Sequence, residues 1–282
     1  MERKPDSAVD WGVMGGPGCF AEVNGIKLHY DVYGDGPPLL LIMGLGTPMW
    51  AWEPQVRDLS KDFKTIAFDN RGVGRSPLPA APFGIDDMAA DAVALLDHLG
   101  IMKAHVMGAS MGGFIAQTIA VKYPERVDRL VLACTAFGGA EQVPAEPWVY
   151  QEMVKPRDYS SPEDMQQGAM ILFSEKSLAI QFDKLVAWAR RQAADPVTPE
   201  AVMAHFGACL NFDRSGDVGA IKARTLVIGG DKDILIPPEN FRRLAGRIPG
   251  AELIVYPDCG HGFTVEVADD VNRDALAFLT AP

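Results

Sequence analysis

The chain has 282 residues, 48% of them hydrophobic and 22% charged, which is typical of a globular protein with one large domain or a domain that carries an insertion. Its net charge of −11 argues against nucleic acid and anionic membranes as partners, because like charges repel. Residues 1–18 have the composition of a loose leader rather than a signal peptide, since Pro and Gly interrupt them and they lack an apolar run. No segment approaches 18 consecutive apolar residues, so we expect no membrane span.

The cysteines are widely spaced and form no C-x-x-C pair. They are Cys19, Cys134, Cys209 and Cys259. In a chain of this length, such spacing is typical of reduced cysteines that pack in the interior of a cytoplasmic protein. We therefore predict a cytoplasmic location and no disulfide framework.

Strands and helices are predicted to alternate through the first half of the chain. Two alternating runs flank Asn24-Gly25, which is a strong signal for a β-hairpin. The continuous apolar run at 39–43 is typical of a strand that is buried on both faces. The further predicted elements are a helix over 50–60, strands over 64–69, 104–109 and 127–133, and helices over 86–99 and 110–122.

The alternation stops near residue 138 and resumes at residue 224. The segment 138–215 is irregular, helical in pattern and rich in aromatic residues. After it, we predict strands over 224–230 and 252–256 and helices over 238–247 and 265–279. Repeated strand–helix units predict a mainly parallel sheet with helices on both faces, and the interruption predicts an insertion packed over one edge of that sheet.

A serine lies within a glycine-rich turn between a predicted strand and a predicted helix. Gly108, Ser110 and Gly112 form the pattern G-x-S-x-G, which is typical of a nucleophile elbow. Such a sharp turn lifts the serine hydroxyl clear of the sheet, and side chains at the two glycine positions would collide. The simpler interpretation, a serine that only caps a helix, is less consistent with the buried strand before it and the apolar helix after it.

A serine nucleophile needs a base, and the chain offers five histidines. His261 follows the last predicted strand in the loop PDCGHGF, on the side of the sheet where catalytic groups gather. The other four are less suitable. His29 lies in the hairpin, His98 near a helix end, His105 at the wrong end of its strand, and His205 within the insertion, where it could be a pocket residue.

The base in turn needs a carboxylate that holds its tautomer, and two candidates follow the strand over 224–230. Asp231 and Asp233 both lie in GGDKDILIP. We favour Asp233 and keep Asp231 as a residue that could instead cap the turn. The order along the chain is then Ser, Asp, His, as in one of the known arrangements of the triad.

With these motifs the chain resembles the α/β-hydrolase family, and within it the branch of enol-lactonases, esterases and haloperoxidase-like proteins. The resemblance rests on GLG (44–46), FDNRGVGRS (68–76), GASMGG (108–113), GDKDILIP (230–237) and GHGFTVE (260–266). It implies a mostly parallel sheet flanked by helices, with a core formed by 19–137 and 216–282. It also implies that 138–215 is a helical cap.

The resemblance extends to an oxyanion hole, the pair of N–H groups that binds the negatively charged oxygen of an acyl-transfer intermediate. The two donors would be the backbone N–H groups of Leu45 and Met111. Some cap aromatics, with Trp50 or Trp52, would line an apolar pocket. Asp69 and Arg71 would have the structural role of pinning the loop after a strand.

These residues together predict hydrolysis of a small carboxylic ester or lactone, without a metal or an organic cofactor. A largely apolar substrate fits the acidic surface better than a carboxylate does, and a homo-oligomer is possible. Two alternatives stay open. Carbon–carbon bond hydrolysis uses the same triad, but related enzymes usually have an aromatic residue where Gly262 stands. A ligand receptor with little turnover would also keep the triad.

Overall fold

A computed structural model describes Met14 and residues 18–155, 161–194 and 197–281. The predicted leader, residues 1–18, lies almost entirely outside the described residues. Tyr159, one of the aromatic residues of the predicted cap, also lies outside them. The described strands are β1 (Cys19–Val23), β2 (Ile26–Tyr33), β3 (Pro38–Ile42), β4 (Lys64–Phe68), β5 (Ala104–Ala109), β6 (Val127–Ala133), β7 (Arg224–Gly230) and β8 (Glu252–Tyr256).

The described strands form one sheet in the order β1-β2-β4-β3-β5-β6-β7-β8. Strand β2 runs antiparallel to β1 and β4, and every other pairing in the sheet is parallel. The hairpin predicted at Asn24-Gly25 is confirmed, and both residues have the positive φ that its tight turn needs. The mostly parallel sheet expected from the strand–helix alternation is therefore confirmed.

The described helices are α1 (Glu53–Leu59), α2 (Ile85–His98), α3 (Met111–Lys122), α4 (Pro147–Val154), α5 (Pro162–Leu172), α6 (Glu175–Ala194), α7 (Pro199–Leu210), α8 (Glu239–Arg247), α9 (Phe263–Glu266) and α10 (Ala268–Thr280). The single last helix predicted over 265–279 is wrong in one respect. The chain forms two helices there, because Val267 has a non-helical conformation between them. Among the described helices, none is both long and apolar enough to cross a membrane.

The central strands are buried because helices cover them. Leu39, Leu40 and Leu41 of β3 are fully buried, as the continuous apolar run predicts. Helix α3 packs against β3, β5 and β6, and α8 packs against β7 and β8. These strands therefore form a rigid base whose carboxyl ends lie along a common edge.

Helices α4–α7 lie in the chain between β6 and β7, within the segment predicted to be a cap, and we refer to them as the cap helices. The two ends of this segment are joined, because Gly138 forms a β-bridge with Asp213 and the Arg214 N–H donates to the Phe137 carbonyl at 2.7 Å. Buried cap residues such as Leu185 and Trp188 belong to the same hydrophobic core as the sheet. The cap helices are thus packed onto the sheet.

Candidate active site

Ser110 occupies the sharp turn between β5 and α3 and has a strained backbone. Its φ is 56° and its ψ −120°, a conformation that residues with a side chain rarely adopt and that typically costs about 1–3 kcal/mol. Two contacts hold it in place. The Ser110 N–H donates to the Ala133 carbonyl at 2.9 Å, and its carbonyl accepts a hydrogen bond from Thr135 Oγ1 at 2.9 Å. The sheet therefore maintains the strained turn.

The two glycines of the G-x-S-x-G pattern are required by close backbone contacts. A Cβ atom on Gly108 would lie 2.2 Å from the Gly112 carbonyl oxygen. A Cβ atom on Gly112 would lie 2.0 Å from the Ile42 carbonyl oxygen. These distances are far shorter than van der Waals contact, so the expected collision of side chains at both positions is confirmed.

His261 and Asp233 form a buried pair at the carboxyl ends of β7 and β8. The distance between His261 Nδ1 and Asp233 Oδ2 is 2.7 Å. The second carboxylate oxygen, Oδ1, accepts the N–H groups of Leu235 at 2.9 Å and Ile236 at 2.8 Å. With both oxygens engaged, the carboxylate has a fixed orientation and determines the orientation of the imidazole.

The same contacts shift the pKa of His261. Burial acts to lower this pKa, whereas the negative charge and hydrogen bond of Asp233, together with the adjacent Cys134 side chain, act to raise it. The net result is a pKa well above the ordinary value for histidine. Asp233 therefore favours the imidazolium form of His261.

The alternative carboxylate, Asp231, lies on the same loop but makes different contacts. Its Oδ2 lies 3.3 Å from Lys232 Nζ, and its N–H donates to the Tyr256 carbonyl at 3.0 Å. The structure brings Asp233, and not Asp231, against His261.

The remaining histidines lie elsewhere. His29 is buried in β2 and pairs with Asp69, while His105 packs its ring edge-to-face on Phe63. His98 ends α2 near Tyr30. His205 is fully buried in α7 and is not among the residues that line the cavity beside Ser110, so its interpretation as a pocket residue is wrong.

A cavity of about 300 Å³ is lined by four of the five predicted site residues. Ser110, His261, Leu45 and Met111 all line it, between the carboxyl edge of the sheet and the cap helices. Among the described residues that line the cavity, none is Lys, Arg, Asp or Glu. The polar ones besides Ser110 and His261 are Thr47, Cys134, Gln142, Tyr150, Gln192, Cys209 and Thr264.

The cap contributes most of the aromatic wall. The aromatic cap residues that line the cavity are Tyr150, Phe173, Trp188 and Phe206. The prediction that Trp50 or Trp52 lines the pocket is wrong: both are buried beneath it, and Ala51 between them reaches the cavity instead. Trp50 packs against Trp188, with 5.5 Å between ring centroids, and so stabilises a residue that lines the cavity.

The loop after β3 approaches Ser110 closely. A Cβ atom on Gly44 would lie 3.1 Å from Ser110 Cβ and 3.6 Å from its Oγ. The Asn70 side-chain amide donates to the Met43 carbonyl at 3.0 Å and so supports the start of this loop. Leu45, which follows Gly44, and Met111, the first residue of α3, both line the cavity together with Ser110.

Cys134 is a site residue that the sequence did not single out. It follows β6, has a φ of 40°, is buried, lines the cavity together with His261 and acts to raise the pKa of that histidine. The place of Cys134 at the carboxyl edge of the sheet was a signal that any polar side chain there would face the site.

Glu266 connects the His261 loop to the cap. Its buried carboxylate accepts the N–H groups of Ser174 and Gly260, each at 2.7 Å. The Gly262 N–H also donates to the Leu172 carbonyl at 2.6 Å. Burial raises the pKa of Glu266, which the two N–H donors partly oppose. The residues on both sides of His261 are therefore linked to the cap, Gly260 through Glu266 to Ser174 and Gly262 directly to Leu172 at the end of α5.

Comparison with known proteins agrees with this architecture. The sequence profile of the alpha/beta hydrolase fold matches residues 37–266, and the chain belongs to this family. It is 36% identical over 245 residues to a poly(3-hydroxyalkanoate) depolymerase from Ectopseudomonas oleovorans, covering 86% of this chain and 84% of the relative.

Two further relatives differ in their named activities. A protein from Caulobacter segnis, named as a candidate carbamate hydrolase, is 30% identical over 244 residues, covering 86% of this chain and 90% of the relative. The crystal structure of the enol-lactonase from Burkholderia xenovorans superposes with a TM-score of 0.80 at 30% identity, covering 93% of this chain and all of that one. The resemblance to the α/β-hydrolase family, read from the sequence motifs, is confirmed.

Proposed function

We propose that this protein is a serine hydrolase that cleaves a carboxylic ester or lactone, with Ser110 as nucleophile, His261 as base and Asp233 as the carboxylate that orients it. One observation carries the proposal. His261, which is paired with the buried Asp233, lines the same cavity as the strained Ser110. A nucleophile and a base beside one cavity, with a carboxylate that orients the base, are the arrangement that acyl transfer requires.

The proposed reaction proceeds in two steps. Ser110 Oγ attacks the carbonyl carbon while His261 takes the hydroxyl proton, and His261 then returns that proton to the leaving oxygen as the ester bond breaks. Water next attacks the acyl-enzyme, His261 takes a proton from it, and the acid is released with Ser110 restored. Because Nδ1 of His261 is engaged by Asp233, Nε2 is the nitrogen that exchanges protons.

The N–H groups of Leu45 and Met111 are proposed to bind the oxyanion. Met111 begins α3, where the positive end of the helix dipole adds to its N–H. Loss of one such donor typically costs about 2.7–4 kcal/mol of transition-state stabilisation. The proposed steps require no metal or organic cofactor.

The cavity supports an uncharged, largely apolar substrate. Its described lining combines methionines and aromatic rings with few polar groups and, within the described residues, no Lys or Arg. A substrate carboxylate would lose its hydration there without gaining a cationic partner. The relatives named as a polyester depolymerase and an enol-lactonase also favour ester and lactone bonds.

The proposal also assigns a role to each segment of the chain around the site. Residues 19–137 and 216–282 would form the hydrolase core, and residues 138–215 the cap that closes over the substrate. A small molecule in the cytoplasm would be the natural substrate class. The net charge of −11 supports a small molecule rather than an anionic surface as the partner, because like charges repel.

A substrate panel tests the proposal. Aryl esters of increasing acyl length, lactones and, because of the Caulobacter segnis relative, aryl carbamates are offered to the parent protein and to Ser110→Ala. We expect sustained turnover of uncharged esters or lactones by the parent and a loss of about 10⁶-fold in kcat in the variant. A fluorophosphonate probe should label Ser110 in the parent.

Two results would overturn the proposal. A folded parent whose Ser110 resists the probe would exclude a serine nucleophile. Labelling without sustained hydrolysis of any panel member would instead indicate a ligand receptor. Turnover of carbamates alone would retain the triad and change the bond that is cleaved.

A further inference from the structure

The loop that carries Leu45 is held by the cap at the next residue. The Gly46 N–H donates to His205 Nδ1 at 3.2 Å, and the Gly46 carbonyl accepts a hydrogen bond from Gln192 Nε2 at 3.0 Å. His205 belongs to α7 and Gln192 to α6, so two cap helices hold the two sides of one residue. Gly46 has a φ of 61°, which favours glycine at this position.

The two hydrogen-bond partners of His205 require the neutral imidazole with its proton on Nε2. Its Nε2 lies 2.8 Å from the Arg71 carbonyl, to which it donates, and this leaves Nδ1 as the acceptor for Gly46. Burial lowers the pKa of His205 and so favours the neutral ring that can accept a hydrogen bond. Phe83 packs edge-to-face on the imidazole, with 5.8 Å between ring centroids.

His205 does not contact the substrate space. It is fully buried and does not line the cavity, whereas Leu45 and Gly46 do. Its hydrogen bond to Gly46 therefore has no direct role in binding. The peptide groups on either side of Leu45 adjoin one another, so a hydrogen bond at the Gly46 N–H also constrains the peptide group that contains the Leu45 N–H.

We infer that His205 is a positioning residue that fixes the Leu45 N–H from the cap side, so that the oxyanion hole is completed only when the cap is docked. This inference rests on the proposed function. A displacement of about 1 Å in a catalytic group can reduce a rate by about 100-fold. A single lost hydrogen bond at Gly46 is therefore sufficient to change the rate.

Two matched variants separate the two hydrogen bonds of His205. His205→Asn places a side-chain oxygen near the position of Nδ1 and keeps an acceptor for the Gly46 N–H. His205→Gln places an amide nitrogen near the position of Nε2 and keeps the donor to Arg71. Both variants replace the ring with an amide of similar polarity, so that the loss of Phe83 packing is common to both.

We expect the Gly46 contact to control catalysis. His205→Gln should reduce kcat on the best ester of the panel by about 10- to 100-fold with KM within threefold, because the lost interaction is made in the transition state. His205→Asn should stay within about threefold of the parent. Affinity for a trifluoromethyl ketone, which forms an oxyanion on Ser110, should fall in parallel with kcat.

The outcomes distinguish this inference from the proposed function. Equal kcat in the two variants, or an effect on KM alone, would overturn the role of His205 while leaving ester hydrolysis intact. A parent without turnover would overturn the proposed function first. Melting temperatures and titration of active sites with the fluorophosphonate probe correct each rate for the folded fraction.

Discussion

Two buried His–Asp pairs in this protein have nearly the same geometry and different surroundings. In the pair His261–Asp233 and in the pair His29–Asp69, Nδ1 lies 2.7 Å from Oδ2. In both pairs the second carboxylate oxygen accepts backbone N–H groups, that of Asp69 from Met49 at 2.8 Å. Distance and burial therefore do not distinguish the pair that we propose to be catalytic from the second pair.

The difference lies at the other ring nitrogen. Arg75 Nη1 lies 3.2 Å from His29 Nε2, and a Cβ atom on Gly18 would lie only 2.0 Å from the same nitrogen. His29 is thus closed off from solvent and substrate, whereas His261 lines the cavity with Ser110. A His–Asp pair becomes a candidate for proton transfer only where its free nitrogen is accessible to a reacting group.

The largest expected effect is on kcat, when the carboxylates of the two pairs, Asp233 and Asp69, are neutralised one at a time. Asp233→Asn should reduce kcat by about 10⁴-fold, because the orienting charge and the tautomer are lost. Asp69→Asn should leave kcat of the folded protein within a few-fold of the parent. Steady-state hydrolysis of the best panel ester, corrected by active-site titration, measures both.

Asp231→Asn is the matched control on the same loop. Since Asp231 does not contact His261, its kcat should equal that of the parent. A loss at Asp231 as large as that at Asp233, or a loss at Asp69 of comparable size, would contradict the contrast between the two pairs.

The second prediction concerns stability at the closed pair. His29→Gln removes the hydrogen bond to the buried Asp69 carboxylate and should lower the free energy of unfolding by about 1–3 kcal/mol. His29→Asn, which can place an amide donor near the position of Nδ1, should lose less. Urea denaturation of both variants gives the values, and a loss of activity per folded molecule would indicate that His29 takes part in catalysis.

The third prediction uses the raised pKa of His261, which gives activity and stability opposite pH dependences. Only the neutral imidazole acts as base, so kcat/KM should rise up to tenfold per pH unit above pH 6.5 until the pH passes the raised pKa. Over the same pH window, His261 in the unfolded chain has its ordinary pKa and has already released its proton. The stability that His261 contributes should therefore fall by up to about 1.4 kcal/mol per pH unit.

The measurement compares urea unfolding of the parent and His261→Gln from pH 6 to pH 9. The difference between the two should shrink as the pH rises, while kcat/KM of the parent grows. A stability contribution from His261 that increases over this range would show that its pKa is lowered rather than raised.

The smallest expected effect is at Arg75, which is exposed and covers His29 Nε2. Arg75→Ala should change the free energy of unfolding by less than about 1 kcal/mol, as is usual for an exposed charged side chain. Combined with Ser110→Ala, it should produce no esterase activity. Hydrolysis by this double variant would mean that uncovering a His–Asp pair is sufficient to create a base without a neighbouring nucleophile.

The elements and the core of the site could be predicted because their signals are local. The apolar run of β3 and the glycines around Ser110 each determine their structure within a few residues. The choice between Asp231 and Asp233 is harder to make from the sequence. It depends on the turn after β7, in which the Asp233 N–H donates to the Gly230 carbonyl at 3.3 Å and its side chain meets two later N–H groups.

Contacts between distant segments could not be predicted from one sequence. His205 and Gly46 are 159 residues apart, and nothing in either segment indicates the other. The cap aromatics present the same difficulty, because an irregular helical segment does not reveal which face meets the sheet. Trp188 lines the cavity while Trp148 is exposed, although both lie on cap helices.

The Glu266 carboxylate has a practical consequence for protein engineering. Because it joins Ser174 to Gly260, a cap exchanged between family members would bring a foreign backbone to a carboxylate that requires an N–H group at that position. An exchange that ends before residue 174 would preserve this junction, whereas one that includes it would leave the buried carboxylate with one donor fewer wherever the new backbone is displaced or has proline at this position. Chimeras designed to alter substrate range should therefore retain the native residues around Ser174.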